Sequence, residues 1–205
     1  MDDAETKAAA VIIRNIDQLE SAVAFASTKM DASLFEAVCE TLTAKNEDLC
    51  WESGFGSGFA DDLWLAPSDW RADGEDVGGD YDLLCYLDVD EFEAQTWVAY
   101  FASAGGRKVY LCVSTNTVSG KKNLKRLAVS VADDLQKLVD AGFLFDVETF
   151  TFKLPVSFDR EQIAQGFADD DLSQALAPLG RALDLVSGSR EIFDRMRDAV
   201  RLAAA

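Results

Sequence analysis

Ile12, Ile16, Leu19, Val23, Ala26 and Met30 are separated by 4, 3, 4, 3 and 4 residues. That spacing places apolar side chains on one face of a helix. Residues 4–30 are therefore predicted to be helical, with the stripe packed on the chain's own core. A heptad-like repeat also allows a second arrangement, a homodimer seam. A further helix is expected from Asp31 or Ser33, both good N-cap residues, to about Lys45, with Leu34, Phe35, Val38 and Leu42 turned inward.

Beyond it the apolar runs shorten. Residues 49–55 and 59–66 flank Gly56-Ser57-Gly58, which reads as a hairpin. The runs 83–87, 97–102 and 109–113 are continuous and apolar, and this predicts central strands buried on both faces. Their links are too short for parallel crossovers, so the sheet is expected to be mostly antiparallel. In 119–141, Leu124, Leu127, Val131, Leu135 and Leu138 make a helical stripe. Ser119 is the expected cap and Gly142 the stop.

Between 143 and 154 the alternation changes phase. Phe143, Phe145 and Val147 are apolar at odd positions, Phe150, Phe152 and Leu154 at even ones. A period of two cannot switch phase without an extra residue, so a bulge or break is expected near Glu148–Thr149. The remainder is helical in pattern, with Pro178 ending or kinking one helix. Ile192, Phe193, Met196 and Val200 share a face of the last. The predicted class is α+β, with a mostly antiparallel sheet of about five to six strands. Two N-terminal helices precede the sheet, one helix crosses after the meander, and helices close the chain. A single domain is expected over 1–205: helices in 1–45, the sheet in 46–155 with the helix 119–141 inserted, and C-terminal helices in 156–205.

Composition narrows the chemistry. The 13 Phe, 4 Trp and 4 Tyr among 205 residues are core material, which argues against disorder. There is no histidine, so Ser-His-Asp and Cys-His catalysis, imidazole metal ligands and imidazole pH switches are excluded. Cys39, Cys50, Cys85 and Cys112 form no C-x-x-C pair. They read as reduced thiols rather than a zinc site. The start, Met1-Asp2-Asp3, lacks the basic region of a signal peptide, and no apolar run approaches the ~20 residues of a membrane span. A cytoplasmic location without membrane association is the expectation.

The formal net charge is −18, from 19 basic and 37 acidic residues. Such a field repels phosphate backbones and disfavours direct nucleic-acid binding. It suits solubility or a basic protein partner. Most of it lies in 61–93, where twelve acids face the single cation Arg71, leaving a local charge of −11. Within that segment Asp69, Trp70, Asp73, Glu75, Asp76 and Asp80 are the candidate partner-binding residues, an aromatic beside acids being a common anchor composition.

Crowded carboxylates also suit a cation, so Asp73, Asp80, Asp88 and Asp90 are weak candidates for a Ca²⁺ or Mg²⁺ site; no other cofactor is expected. The stretch 69–80 fails as an EF-hand because Arg71 occupies a ligand position. A metal-dependent nuclease site needs Asp/Glu-x-Lys on a strand following an acid. The chain's one Glu-x-Lys is Glu5-Thr6-Lys7, near the N-terminus. Gly54-Phe55-Gly56-Ser57-Gly58 lacks the spacing of a phosphate loop and reads as a turn.

One stretch is basic. Arg107, Lys108, Lys121, Lys122, Lys125 and Arg126 occur with no acid among them. Lys121, Lys122, Lys125 and Arg126 open a helix, where the macrodipole prefers anions. They are the candidate anion-binding set, expected to line a pocket between that helix and the sheet. Three functions follow. The leading one is a non-enzymatic module docking a basic partner through 61–93, as immunity proteins, adaptors, chaperones or mimics do. The others are a divalent-metal phosphoryl-transfer or hydrolytic enzyme using the 69–93 carboxylates, and a binder of a small anionic ligand.

Overall fold

The computed structural model describes residues 2–59, 63–72, 81–89 and 96–204. The fold is α+β with an open six-stranded antiparallel sheet. Helices α1 (Asp3–Arg14) and α2 (Ile16–Phe25), a π-helical turn (Ala26–Met30) and α3 (Asp31–Leu49) lead into strand β1 (Trp51–Phe55). Strands β2 (Leu63–Pro67) and β3 (Leu84–Val89), helix α4 (Trp97–Phe101) and strand β4 (Val109–Ser114) follow. Next come α5 (Lys121–Ser130), α6 (Ala132–Asp140), β5 (Leu144–Asp146) and β6 (Thr151–Val156). Helices α7 (Arg160–Asp169), α8 (Ala177–Gly188) and α9 (Arg190–Ala204) close the order.

The sheet runs β1-β2-β3-β4-β6-β5. Strand β4 is central and every residue of it is buried, as its unbroken apolar run predicts. Leu111 lies opposite Leu87 on one side and Leu154 on the other, fixing the register. Helix α8 packs on β4 and β6, and α3 packs on β1 and α8. The face of α9 that carries Phe193, Met196 and Val200 is fully buried.

The phase change near 148 is a tight hairpin. Strand β5 pairs with β6, and Phe150 takes a left-handed φ of 52° to close the turn. The Asp146 carboxylate accepts from the Glu148 N–H at 2.8 Å and the Thr149 hydroxyl at 3.0 Å, an arrangement typical of Asp in turns. Gly142 ends α6 with φ 104°, and the Phe143 N–H returns to the Leu138 carbonyl at 3.0 Å, as a Schellman stop requires. Pro178 stands in the first turn of α8, where its missing N–H has no intrahelical partner to lose.

Several expectations are corrected. The run 97–102 is the helix α4, not a strand. Short apolar runs cannot be told apart by periodicity, and here the capping groups decide. The Thr96 hydroxyl accepts from the Ala99 N–H at 3.3 Å, while the Asp31 carboxylate accepts from the N–H groups of Trp97 (3.0 Å) and Val98 (2.9 Å). Helix α3 does begin at Asp31, but the Asp31 side chain caps α4 rather than its own helix, which runs on from the π turn. The expected helix 119–141 is two helices, α5 and α6, broken at Val131 (φ −115°), and its N-cap is Gly120 rather than Ser119. Strand β3 is only partly buried.

The largest correction concerns the N-terminus. Residues 3–49 form one helical rod, interrupted only by Asn15 (φ −119°) and the π turn. At 1.5 Å per residue it is about 70 Å long. Leu34, Val38 and Leu42 of α3 are fully buried. In α2 no residue is buried, and Ile12, Ile16, Leu19 and Val23 are exposed. The stripe does not pack on the core. Periodicity shows which face of a helix is apolar, not whether anything covers it.

Among the described residues, no helix is long and apolar enough to cross a membrane. The four cysteines are all free thiols. Burial pushes the Cys85 thiol far up, Cys112 up to about 12, and the half-buried Cys39 upward, whereas Cys50 is exposed. Thiolate is the reactive form. An aromatic disulfide reagent should therefore label Cys50 rapidly, Cys39 slowly, and Cys85 and Cys112 only after denaturation. Cys50→Ser should abolish the fast phase; its persistence would contradict this assignment of environments.

Candidate functional site

Three of the twelve acids in 61–93 belong to the described residues: Asp69, Asp82 and Asp88. All three are engaged by the protein's own cations. Asp69 lies in the 3₁₀ turn Ser68–Trp70 after β2 and pairs with Arg190 at 2.7 Å and Arg197 at 3.4 Å. Asp82 is 2% exposed and pairs with Arg201 at 2.5 Å. Asp88 on β3 pairs with Lys153 on the second neighbour strand β6 at 2.8 Å, raising the Lys153 ammonium through that hydrogen bond. Trp70 is 0% exposed; its indole N–H donates to Asp194 at 2.7 Å, and its ring meets Trp51 and Phe193. It cannot serve as a surface anchor, because its burial fixes the turn to α9.

The cations that engage Asp69 and Asp82 come from one helix face. Arg190, Asp194, Arg197 and Arg201 are spaced 4, 3 and 4 along α9, on the face that flanks its buried apolar stripe. Arg201 also donates to the Arg71 carbonyl at 2.6 Å. Arg71 and Tyr81 form an isolated antiparallel bridge, and both side chains donate to the Glu52 carboxylate on β1. Those bonds, first from Tyr81 and then from Arg71, hold the Glu52 carboxyl below its ordinary range. Burial, followed by the Glu52 bond, pushes the Tyr81 hydroxyl up. The Asp82 N–H donates to the Trp70 carbonyl at 2.8 Å. Residues 69–72 and 81–82 thus form a charge-matched neck. Asp73, Glu75, Asp76 and Asp80, which follow from it in the sequence, lie outside the described residues, as do Asp61, Asp62, Asp90, Glu91 and Glu93. The spacing of the α9 arginines was available in the sequence; their partners, more than 100 residues away, were not.

Among the described residues, no group of three or more acidic or thiol side chains could hold a metal ion. Of the four metal candidates, Asp88 is occupied by Lys153 and Asp73, Asp80 and Asp90 are not described.

Lys121, Lys122, Lys125 and Arg126 do come together, on the outward face of α5. Leu124, Leu127 and Ala128 form the inward face, so the cations point away from the helix–core interface where a pocket was expected to hold them. With Val129 and Ser130 they line a shallow, open surface hollow on that outward face. Lys121 pairs with Glu148 at 3.0 Å; both are well exposed, so the pair contributes little.

A second hollow lies between α3 and the end of α7, with a volume of about 460 Å³. Its charged lining is Glu36 and Glu40, one turn apart on α3, and Asp170 and Asp171 at the α7 terminus. Among the described residues, no lysine or arginine lines it. All four carboxylates are exposed. Asp170 ends α7 in the left-handed region with φ 56°, and hydrogen bonds from the Ser173 side chain and from its N–H, the latter at 2.9 Å, lower the Asp171 carboxyl. Sequence reasoning passed over this site because its acids stand 130 residues apart. The like-charged Glu36–Glu40 pair and the run Asp169-Asp170-Asp171 were its only local signs.

No family model, curated protein or solved structure matches this chain.

Proposed function

We propose that this chain is a non-enzymatic protein-binding module that docks a basic partner surface. The observation that carries the reading is the hollow between α3 and α7, where four exposed carboxylates line a concavity without a cation among them. Like charges at that spacing repel one another, and a partner's lysine or arginine inserted between them relieves the repulsion with charge-assisted hydrogen bonds. Small-molecule pockets are mostly apolar, so the lining favours a basic side chain of a protein instead. The segment 61–93 supplies much of the chain's negative field, and Asp73, Glu75, Asp76 and Asp80 are its proposed contacts. Asp69 and Trp70 hold the base of that segment and do not face the partner. A field of this sign steers a basic protein into encounter.

Binding should fall steeply between about 50 mM and about 500 mM salt, as the Debye length shortens from about 14 Å to about 4 Å. Two charge-neutral variants separate the surfaces. One carries Glu36→Gln, Glu40→Gln, Asp170→Asn and Asp171→Asn; the other carries Asp73→Asn, Glu75→Gln, Asp76→Asn and Asp80→Asn. With partners captured on the immobilised chain, each variant should retain at least tenfold less of a basic partner while melting like the parent. Capture indifferent to salt and to both variants would overturn the reading.

A further inference from the structure

The chain has twelve exposed large apolar side chains among its described residues, and seven of them lie between Val11 and Phe25. This is the length of rod that projects past the domain. Apart from marginal contacts, α1 and α2 touch only the adjoining turns of the same rod. The rod's base is held firmly, because the Asp31 carboxylate caps α4. Its projecting length is a bare helix with an apolar stripe. An isolated helix of that length is marginal in water without a packed face.

We propose that residues 12–30 form a parallel, two-stranded seam with the same residues of a second copy of this chain. Within α2 the spacing assigns Ile16 and Val23 to heptad position a and Leu19 to position d; Ile12 precedes the break at Asn15, and Ala26 and Met30 bound the π turn. A partner that fills such a stripe is another helix with the same repeat, and every copy of the chain presents one. Isoleucine and valine at a with leucine at d select two parallel strands. Charge agrees. An antiparallel seam through the same layers sets Glu20 against the partner copy's Glu20, whereas the parallel one sets it beside Asn15 of the other copy.

The size also fits. The seam over 12–30 is about 28 Å long and covers on the order of 700 Å², which suits a weak association seen at high protein concentration. A lipid surface is the poorer occupant. The rod's polar side carries Asp17 and Glu20, and the chain's net charge is −18, which anionic headgroups repel.

The parallel arrangement brings two bodies of net charge −18 to the same end of the seam. Added salt screens that repulsion and should strengthen the dimer, the opposite of its effect on docking a basic partner. Sedimentation equilibrium of the full chain at about 100 μM, in about 50 mM and about 500 mM salt, reads both effects. The expected mass is twice 22.4 kDa, with the dimer fraction rising with salt. Leu19→Asp with Val23→Asp should give a 22.4 kDa monomer whose body melts unchanged, because neither side chain touches the core. Leu19→Cys in a Cys50→Ser background should oxidise to a disulfide-linked dimer. A wild-type monomer in both salts, a trimer, or a double variant that still dimerises overturns the proposal. Failure of the Leu19→Cys chain to cross-link overturns the parallel arrangement.

Discussion

Truncating Phe193 to alanine should destabilise the protein by about 3–5 kcal/mol, the range for a fully buried phenylalanine in a core that cannot collapse onto the gap. Phe193 is 0% exposed and sits where four segments of the chain meet. Its ring lies edge-on to Phe143 (5.6 Å between centroids), Phe152 (5.6 Å) and Trp70 (5.9 Å). These belong to the α6–β5 link, the strand β6 and the turn after β2. Edge-to-face pairs contribute beyond their buried area, and Trp70 and Phe152 are themselves fully buried, so little is free to move into the space. For a chain of this length the midpoint of thermal unfolding should fall by about 10 °C. Val129→Ala, at a side chain 78% exposed on α5, should stay within about 0.5 kcal/mol. Urea unfolding of both variants checks the contrast. A loss below about 1 kcal/mol for Phe193→Ala would mean that the aromatic junction does not hold α9.

The contrast between α9 and the N-terminal rod shows what sequence reasoning can reach. Both carry an apolar stripe at helical spacing, and both are helices. On α9 the stripe is buried; on α2 it is exposed. Nothing local distinguishes them, because a stripe records a need for cover and leaves its source open. Strand β4 was legible for a different reason: an unbroken apolar run bounded by turns on both sides has only central burial to satisfy it. The break near Glu148–Thr149 was legible because a period of two cannot change phase silently, but that it is a hairpin pairing β5 with β6 was not. The run at 97–102 was misread because its cap, Asp31, arrives from 66 residues away. The break at Val131 had no composition sign at all, since Ser130-Val131-Ala132 contains neither glycine nor proline.

Charge was legible in amount and misleading in place. The count over 61–93 is correct, yet the three described acids there serve the fold. Asp69 and Asp82 fasten the neck to α9, and Asp88 joins β3 to Lys153 on β6. A carboxylate in a sequence does not announce whether a cation distant along the chain will claim it. Asp134 follows the same rule: Arg195 on α9 and Lys137 hydrogen-bond it and hold its carboxyl far below the usual range. Helix α9 therefore works as a basic strut, carrying cations to acids that the sequence alone would assign to the surface. The acids left for a partner are those no strut reaches, as around the α3–α7 hollow.

The neck gives the sharpest test of that division. Arg201→Ala should destabilise the protein by about 3 kcal/mol, because it strands Asp82 as a buried charge without its cation. Asp82 is 2% exposed, and its remaining hydrogen bond, from the Thr117 hydroxyl, is long at 3.5 Å. The same substitution takes a donor from the Arg71 carbonyl. Asp82→Asn alone should cost less, about 1 kcal/mol, since the arginine it releases is partly exposed and can turn to water. In the Arg201→Ala background, Asp82→Asn should instead recover about half the loss, because an amide needs no counter-charge. The two changes should thus couple by about 2.5 kcal/mol in a double-mutant cycle read by urea unfolding. By the same reasoning Asp69→Asn, at an exposed pair, should cost below about 1 kcal/mol. A coupling between Asp82 and Arg201 smaller than about 0.5 kcal/mol would show that water, not α9, compensates the buried carboxylate. The neck would then rest on its exposed Asp69 pairs and the Arg71–Glu52 pair, and the base from which the segment 73–80 is proposed to meet a partner would lose its one buried ionic tie to α9.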